Sequence, residues 1–173
     1  YVLAKAIQFR EGRLLINLGN VLFRQEQYEE ALEKFQGALD LSAKKDTALW
    51  MDALNNFGSA HFNSGNFKAA IPYFEQSLSL QRAVGNLKAQ LPIIYNIAYA
   101  QSKIKAIETS GQTIQEGIRL ANELGEASWV AKFHTRQGID YSDQGYYIQS
   151  IQAHQKALAI QDSLGNQNAV ANA

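Results

Sequence analysis

The segment Tyr28-Glu29-Glu30-Ala31-Leu32-Glu33-Lys34-Phe35-Gln36-Gly37-Ala38-Leu39 carries a helical spacing. Tyr28, Ala31, Leu32, Phe35, Ala38 and Leu39 fall at i, i+3, i+4, i+7, i+10 and i+11, one face of a helix. That face returns three more times. Tyr28, Phe67, Ile107 and Tyr147 form one column. Ala31, Ala70, Ser110 and Ser150 form a second, and Ala38, Ser77, Gly117 and Ala157 a third. Leu39, Leu78, Ile118 and Leu158 follow. Twelve residues before each member of the second column stands another small residue: Gly19, Gly58, Ala98 and Gly138, spaced by 39, 40 and 40 residues.

Small residues at matched places let two helices approach closely, while the large side chains around them interlock as ridges in grooves. The columns therefore describe helix pairs. Short polar turns separate the partners at Arg24–Gln27, Asn63–Asn66, Lys103–Ala106 and Asp143–Tyr146. Gly65 and Gly145 suit the left-handed residue that closes a helix. Other breaks fall at Lys44–Thr47, Gly85–Asn86, Gly125–Glu126 and Gly165–Asn166. Eight helices are expected, over residues 4–23, 27–44, 47–63, 67–84, 87–103, 107–124, 127–143 and 147–164. They form an all-α, right-handed superhelical solenoid of four antiparallel hairpins, read as a single array over 1–173. Its repeats span 4–46, 47–86, 87–126 and 127–166, and 167–173 read as the start of a ninth helix in a truncated fifth repeat. Pro72 is expected to bend its helix slightly, and Pro92 to kink the fifth helix or delay its start to near Lys88–Gln90.

Composition narrows the function. The chain has 173 residues, 46% of them apolar, enough for a substantial core. Sixteen Lys and Arg balance sixteen Asp and Glu, and both halves are neutral. A nucleic-acid binder needs a basic surplus for phosphates, so that class is set aside. A polybasic membrane anchor is set aside for the same reason, and no apolar run reaches a membrane span. There is no Cys. The chain thus has no disulfide, thiolate metal site or Cys nucleophile, and the compartment stays open between cytoplasm, which we expect, and periplasm.

Asn17-Leu18-Gly19-Asn20, then Tyr28, Ala31, Phe35 and Ala38, resembles the tetratricopeptide repeat (TPR) signature. So does Phe57-Gly58 with Phe67, Ala70, Phe74 and Ser77. The third repeat departs from it at Ala98, Gln101 and Gly111, and the fourth at Gln137 and His154, where the pattern prefers Leu and Phe. The period is longer than the usual 34 residues by five or six, and the terminal Pro of the signature is missing. This long-period type is similar to kinesin light chain repeats and to bacterial TPR regulators.

The resemblance implies a concave groove lined by the first helix of each hairpin. Two residues before each small residue stand Asn17, Asn56 and Asn96, with Arg136 in the fourth repeat. Each Asn amide offers two donors and an acceptor, as an extended peptide backbone requires. In related repeats such Asn residues hold ligand main chain, and the resemblance implies the same here. Asn20, Asn55, Tyr95 and Tyr99 flank the ladder, and Phe23 and Phe62 lie one turn away. Arg13, Arg24, Lys103 and Lys132 add positive charge, against Asp52 and Asp143. The bland alternative is that these Asn residues merely fill a half-exposed helical face.

No catalytic motif accompanies this pattern, and neither a metal site nor a cofactor is expected. His61, His134 and His154 read as hydrogen-bonded core or rim residues, although His134 and His154 would lie close together. Glu26, Glu29, Glu30 and Glu33 open a helix where carboxylates suit the dipole, with Glu30 placed to pair with Lys34. Trp50 and Trp129 read as packing between repeats. The leading reading is a non-catalytic module that binds a protein or peptide. One alternative is the sensor arm of a larger bacterial kinase, cyclase or transcription regulator. Another is assembly through open ends exposing Ile148, Ile151, Leu158 and Leu164, which would allow homo-oligomers.

Overall fold

A computed structural model describes the backbone of residues 2–42 and 47–171, and the side chains of 6–41 and 48–165. The helices are α1 (Val2–Arg24), α2 (Tyr28–Ser42), α3 (Thr47–Asn63), α4 (Phe67–Ala83), α5 (Leu87–Lys103), α6 (Ile107–Glu123), α7 (Ala127–Asp143) and α8 (Tyr147–Ala171). Among the described residues there is no strand. The expected break at Lys44–Thr47 lies outside the described residues, apart from the Thr47 backbone.

The chain divides into two compact units, residues 1–86 and 87–173, each holding two helix hairpins. In the N-terminal unit α1 packs on α2, α2 on α3, α3 on α4, and α1 beside α3. The small-residue columns do the work expected of them. A Cβ on Gly19 would sit 2.5 Å from the Phe35 ring, and one on Gly58 would sit 3.0 Å from Phe74. Both rings are fully buried, which stabilises the fold by about 1.5–3 kcal/mol each. The C-terminal unit repeats the order: α5 on α6, α6 on α7, α7 on α8, and α5 beside α7. There His154 takes the place of Phe35 and Phe74, its ring 2.6 Å from where a Cβ on Gly138 would stand.

Among the described residues, six helix ends share one turn geometry. In each, an N–H reaches back five residues to a helical carbonyl, as Asn66 to His61 at 2.8 Å and Ala106 to Gln101 at 2.8 Å. The residue before that donor has positive φ: Gly65 at 82°, Gly85 at 70°, Gly125 at 67° and Gly145 at 80°. The other two are Glu26 at 62° and Lys105 at 60°, non-glycine residues in a conformation that disfavours a Cβ.

Several expectations need correction. Pro72 and Pro92 both lie inside unbroken helices, each at the sixth residue and facing solvent. The helix α5 thus starts at Leu87 despite its proline. Lys34 pairs with its neighbour Glu33 at 3.0 Å, while Gln27 bonds Glu30. The helix α8 does not stop at Gly165 but runs on to Ala171. Gly165 keeps a helical backbone rather than a positive φ, and residues 166–171 contain only Val170 as a large apolar group to fold back. The ninth helix read from residues 167–173 is therefore the tail of α8 as far as Ala171; residues 172–173 lie outside the described residues.

Candidate functional site

The residues expected to line a groove lie on α1 and α3 in the N-terminal unit, and on α5 and α7 in the C-terminal unit. Arg13 on α1 reaches Asp52 on α3, Nη1 to Oδ2 at 3.3 Å, and lies 5.8 Å from the Phe9 ring centre. Both charged side chains are more than half exposed, so the pair contributes at most about 1 kcal/mol. Asn17 is exposed, while Asn20, Asn55 and Asn56 are half-buried. The Ser59 hydroxyl donates to the Asn55 carbonyl at 2.8 Å, and Asn63 Nδ2 donates to the Ser59 carbonyl at 2.8 Å. Phe23 meets Tyr28 edge-on at 5.6 Å, and Phe62 meets Phe67 at 5.2 Å and Phe74 at 6.2 Å. These two Phe rings therefore lock hairpin ends together.

In the C-terminal unit the expected residues converge more closely. Tyr95 contacts Trp129 at 6.1 Å and Phe133 at 5.7 Å. Trp129 on α7 thus packs against α5, and Lys132 Nζ lies 4.1 Å from its ring centre. Asn96 is half-buried beside this cluster in sequence. Tyr99 lies under two cations, Arg136 at 4.9 Å and Lys103 at 5.4 Å. Burial raises the Tyr95 hydroxyl above its ordinary pKa range; Arg136 opposes this, while Tyr99 and Asp140 add to it.

Arg136 departs from its expected role as a groove cation. It is only 3% exposed and is neutralised by Asp140 one turn on. Its Nε and Nη2 donate to Asp140 Oδ1 at 2.9 and 2.6 Å. Ser102 on α5 donates to the same oxygen at 2.6 Å, and Ser110 on α6 donates to Oδ2 at 2.7 Å. A buried ion pair is tolerated only when such bonds satisfy the remaining lone pairs, and this one ties three helices together. The Arg136–Asp140 spacing was readable as an i,i+4 pair. The serines that bury it come from other helices, so its burial was not readable.

The histidines serve packing. His61 stacks on Tyr73 at 5.7 Å and meets Phe57 edge-on at 4.8 Å. Its Nδ1 is buried without a hydrogen-bond partner, contrary to the expected bonded state. Burial lowers its pKa. His134 Nδ1 lies 3.3 Å from Gln137 Oε1; burial lowers its pKa, Gln137 opposes the shift and Lys156 adds to it. Among the described residues no group of three or more His, Cys, Asp or Glu is arranged to hold a metal. No described helix is long and apolar enough to cross a membrane.

Residues 10–83 match the family model of the tetratricopeptide repeat. The human intraflagellar transport protein 88 homolog is 23% identical over 151 residues, covering 86% of this chain. The chain spans 17% of that relative's length. The TPR-like repeats assigned to a kinesin light chain of Podosopora anserina share the fold, with a TM-score of 0.79 and 14% identity over 94% of this chain and 84% of theirs. A Rap protein solved in complex with Competence and Sporulation Factor gives a TM-score of 0.65 at 15% identity, over 91% of this chain and 54% of its own. Residues 10–83 thus carry tetratricopeptide repeats, and the solved structures share the fold over most of the chain.

Proposed function

We propose that this tetratricopeptide-repeat chain is a non-catalytic binding module, and that the first-helix faces of its two units hold extended peptide segments. The observation that carries the reading is the repeated amide. Asn56 on α3 and Asn96 on α5 occupy equivalent places, are half-buried, and have no side-chain hydrogen bond among the described residues. A half-buried amide without a partner favours a ligand that supplies one. Asn17 places an exposed amide at the equivalent point of α1, beside α3. Recognition on a preformed helical surface leaves little ordering cost on the module. The Rap neighbour holding Competence and Sporulation Factor supports this, since the same fold there accommodates a bound factor.

A selection of phage-displayed random peptides against the chain, counter-selected with Asn56→Ala/Asn96→Ala, tests the reading. Enriched peptides that fail to bind the folded variant support it; a selection in which no peptide distinguishes the wild type from the folded variant rejects it. A second reading is a regulatory arm of a longer signalling protein, acting in the cytoplasm. It is favoured by the share of its relatives that the chain spans, 17% in one and 54% in another. Assembly is a third: Ile148, Ile151 and Leu158 on α8 are 71%, 57% and 57% exposed, though Leu164 is half-buried.

A further inference from the structure

The two units are built from the same columns, yet one region differs in chemistry between them. In the N-terminal unit, Ala31, Phe35, Phe57 and Ala60 form a buried apolar cluster. Leu22, Leu32 and Tyr73 pack against it. The corresponding residues of the C-terminal unit are Ser110, Ile114, Gln137 and Asp140, with Gln101, Gly111 and Ala153 around them. Four of these large apolar side chains have been lost: Leu22 becomes Gln101, Leu32 becomes Gly111, Phe57 becomes Gln137, and Tyr73 becomes Ala153. Where the first unit has packed side chains, the second has an open cleft between α6 and α8, floored by α7.

The cleft has two lobes, of 620 and 290 Å³. Gln115, Gln137 and Tyr141 line both. The α6 wall adds Gln112, and the α8 wall adds Gln149 and Gln152. Each lobe has one cation, Arg119 in the larger and Lys156 in the smaller. The single lining carboxylate, Glu116, already has a partner. A Cβ on Gly111 would meet nothing within 4 Å, so the space beside α6 is open to solvent.

We propose that this cleft is a second binding site, for an extended acidic peptide segment. Carboxamides on opposite walls present donors and acceptors to both edges of an extended main chain. Arg119 and Lys156, one in each lobe, select for carboxylates along the segment. The site lies within the C-terminal unit and uses none of the amides invoked for the first-helix faces.

The test is a selection of phage-displayed random dodecapeptides on the Asn56→Ala/Asn96→Ala chain, which keeps the cleft and removes the other candidate surface. If that chain does not fold, the wild-type chain takes its place, with Gly111→Leu as the counter-target. Gly111→Leu restores the residue type of Leu32, projects into open space, and replaces a poor helix former, so it is expected to fold. Enriched peptides rich in Asp and Glu, resynthesised, are expected to bind at least tenfold more weakly to Gly111→Leu and to weaken with added salt. Gly111→Ala should bind nearly as well as the wild type. No enrichment, enrichment without acidic bias, or equal binding to Gly111→Leu would overturn the proposal.

Discussion

Gly117 on α6 lies against the ring of Phe133 on α7 so closely that a Cβ at 117 would stand inside the ring's contact distance. The corresponding pair in the N-terminal unit is Ala38 and Ala53, both buried in one cluster. A methyl group and a smaller side chain have been exchanged for none and a larger one. Gly117→Ala should therefore destabilise the chain by about 1–3 kcal/mol through overpacking. Adding Phe133→Leu should recover part of that loss, so the double-mutant cycle gives a coupling of about 1 kcal/mol. Additive denaturation free energies would contradict this pairing.

Glu26 and Lys105 hold a left-handed backbone at turns whose counterparts are glycine. Each is exposed, so little packing is lost by removing its side chain. Lys105→Gly and Glu26→Gly are expected to stabilise by up to about 1 kcal/mol each, the relief of strain exceeding the added unfolded-state entropy. The measurement is the urea midpoint at constant slope. A lower midpoint for both would show that these turns carry no strain.

The buried Arg136–Asp140 pair gives an asymmetric expectation. Arg136→Ala leaves a carboxylate buried with only two serine donors and should cost about 3–5 kcal/mol. Replacing both residues with apolar groups, as in Arg136→Met/Asp140→Leu, should cost far less than the single change. Calorimetric melting temperatures of the two variants give the comparison. Equal losses would mean that the ion pair itself, rather than the burial of an unpaired charge, sets the penalty.

Acidification should weaken the fold through His61 and His134. Both have pKa values lowered in the folded state, so below about pH 6.5 the unfolded chain binds more protons than the folded one. Stability is fully present above that value and falls as pH drops below it. His61→Leu, which copies Leu22 of the first repeat, should flatten part of this dependence. An unchanged slope between pH 5 and 7, measured by urea titration and spanning the unperturbed histidine range, would remove His61 from the account.

Much of the fold was legible because the small-residue columns are a direct record of helix contact. Gly19 against Phe35 and Gly58 against Phe74 stand where the spacing put them. The turns at Gly65 and Gly145 were legible because glycine marks a positive φ, whereas Glu26 and Lys105 take the same conformation without that mark. The end of α8 was misread because a glycine permits a turn without imposing one. At the candidate sites, sequence position placed the asparagines on the first helices. It did not show that Arg136 would be buried by Ser102 and Ser110, or that Gly111 and Gln137 would empty one region together. Those outcomes depend on residues from three helices meeting, which no local spacing encodes.

The most direct test of peptide binding on the first-helix faces is the affinity of a selected peptide for Asn56→Ala and Asn96→Ala, each and combined. Fluorescence anisotropy would read the affinity, and circular dichroism the melting temperature. Each change should weaken binding several fold, about 1 kcal/mol for one lost hydrogen bond, with little change in melting. Wild-type affinity in the folded double variant would contradict the account.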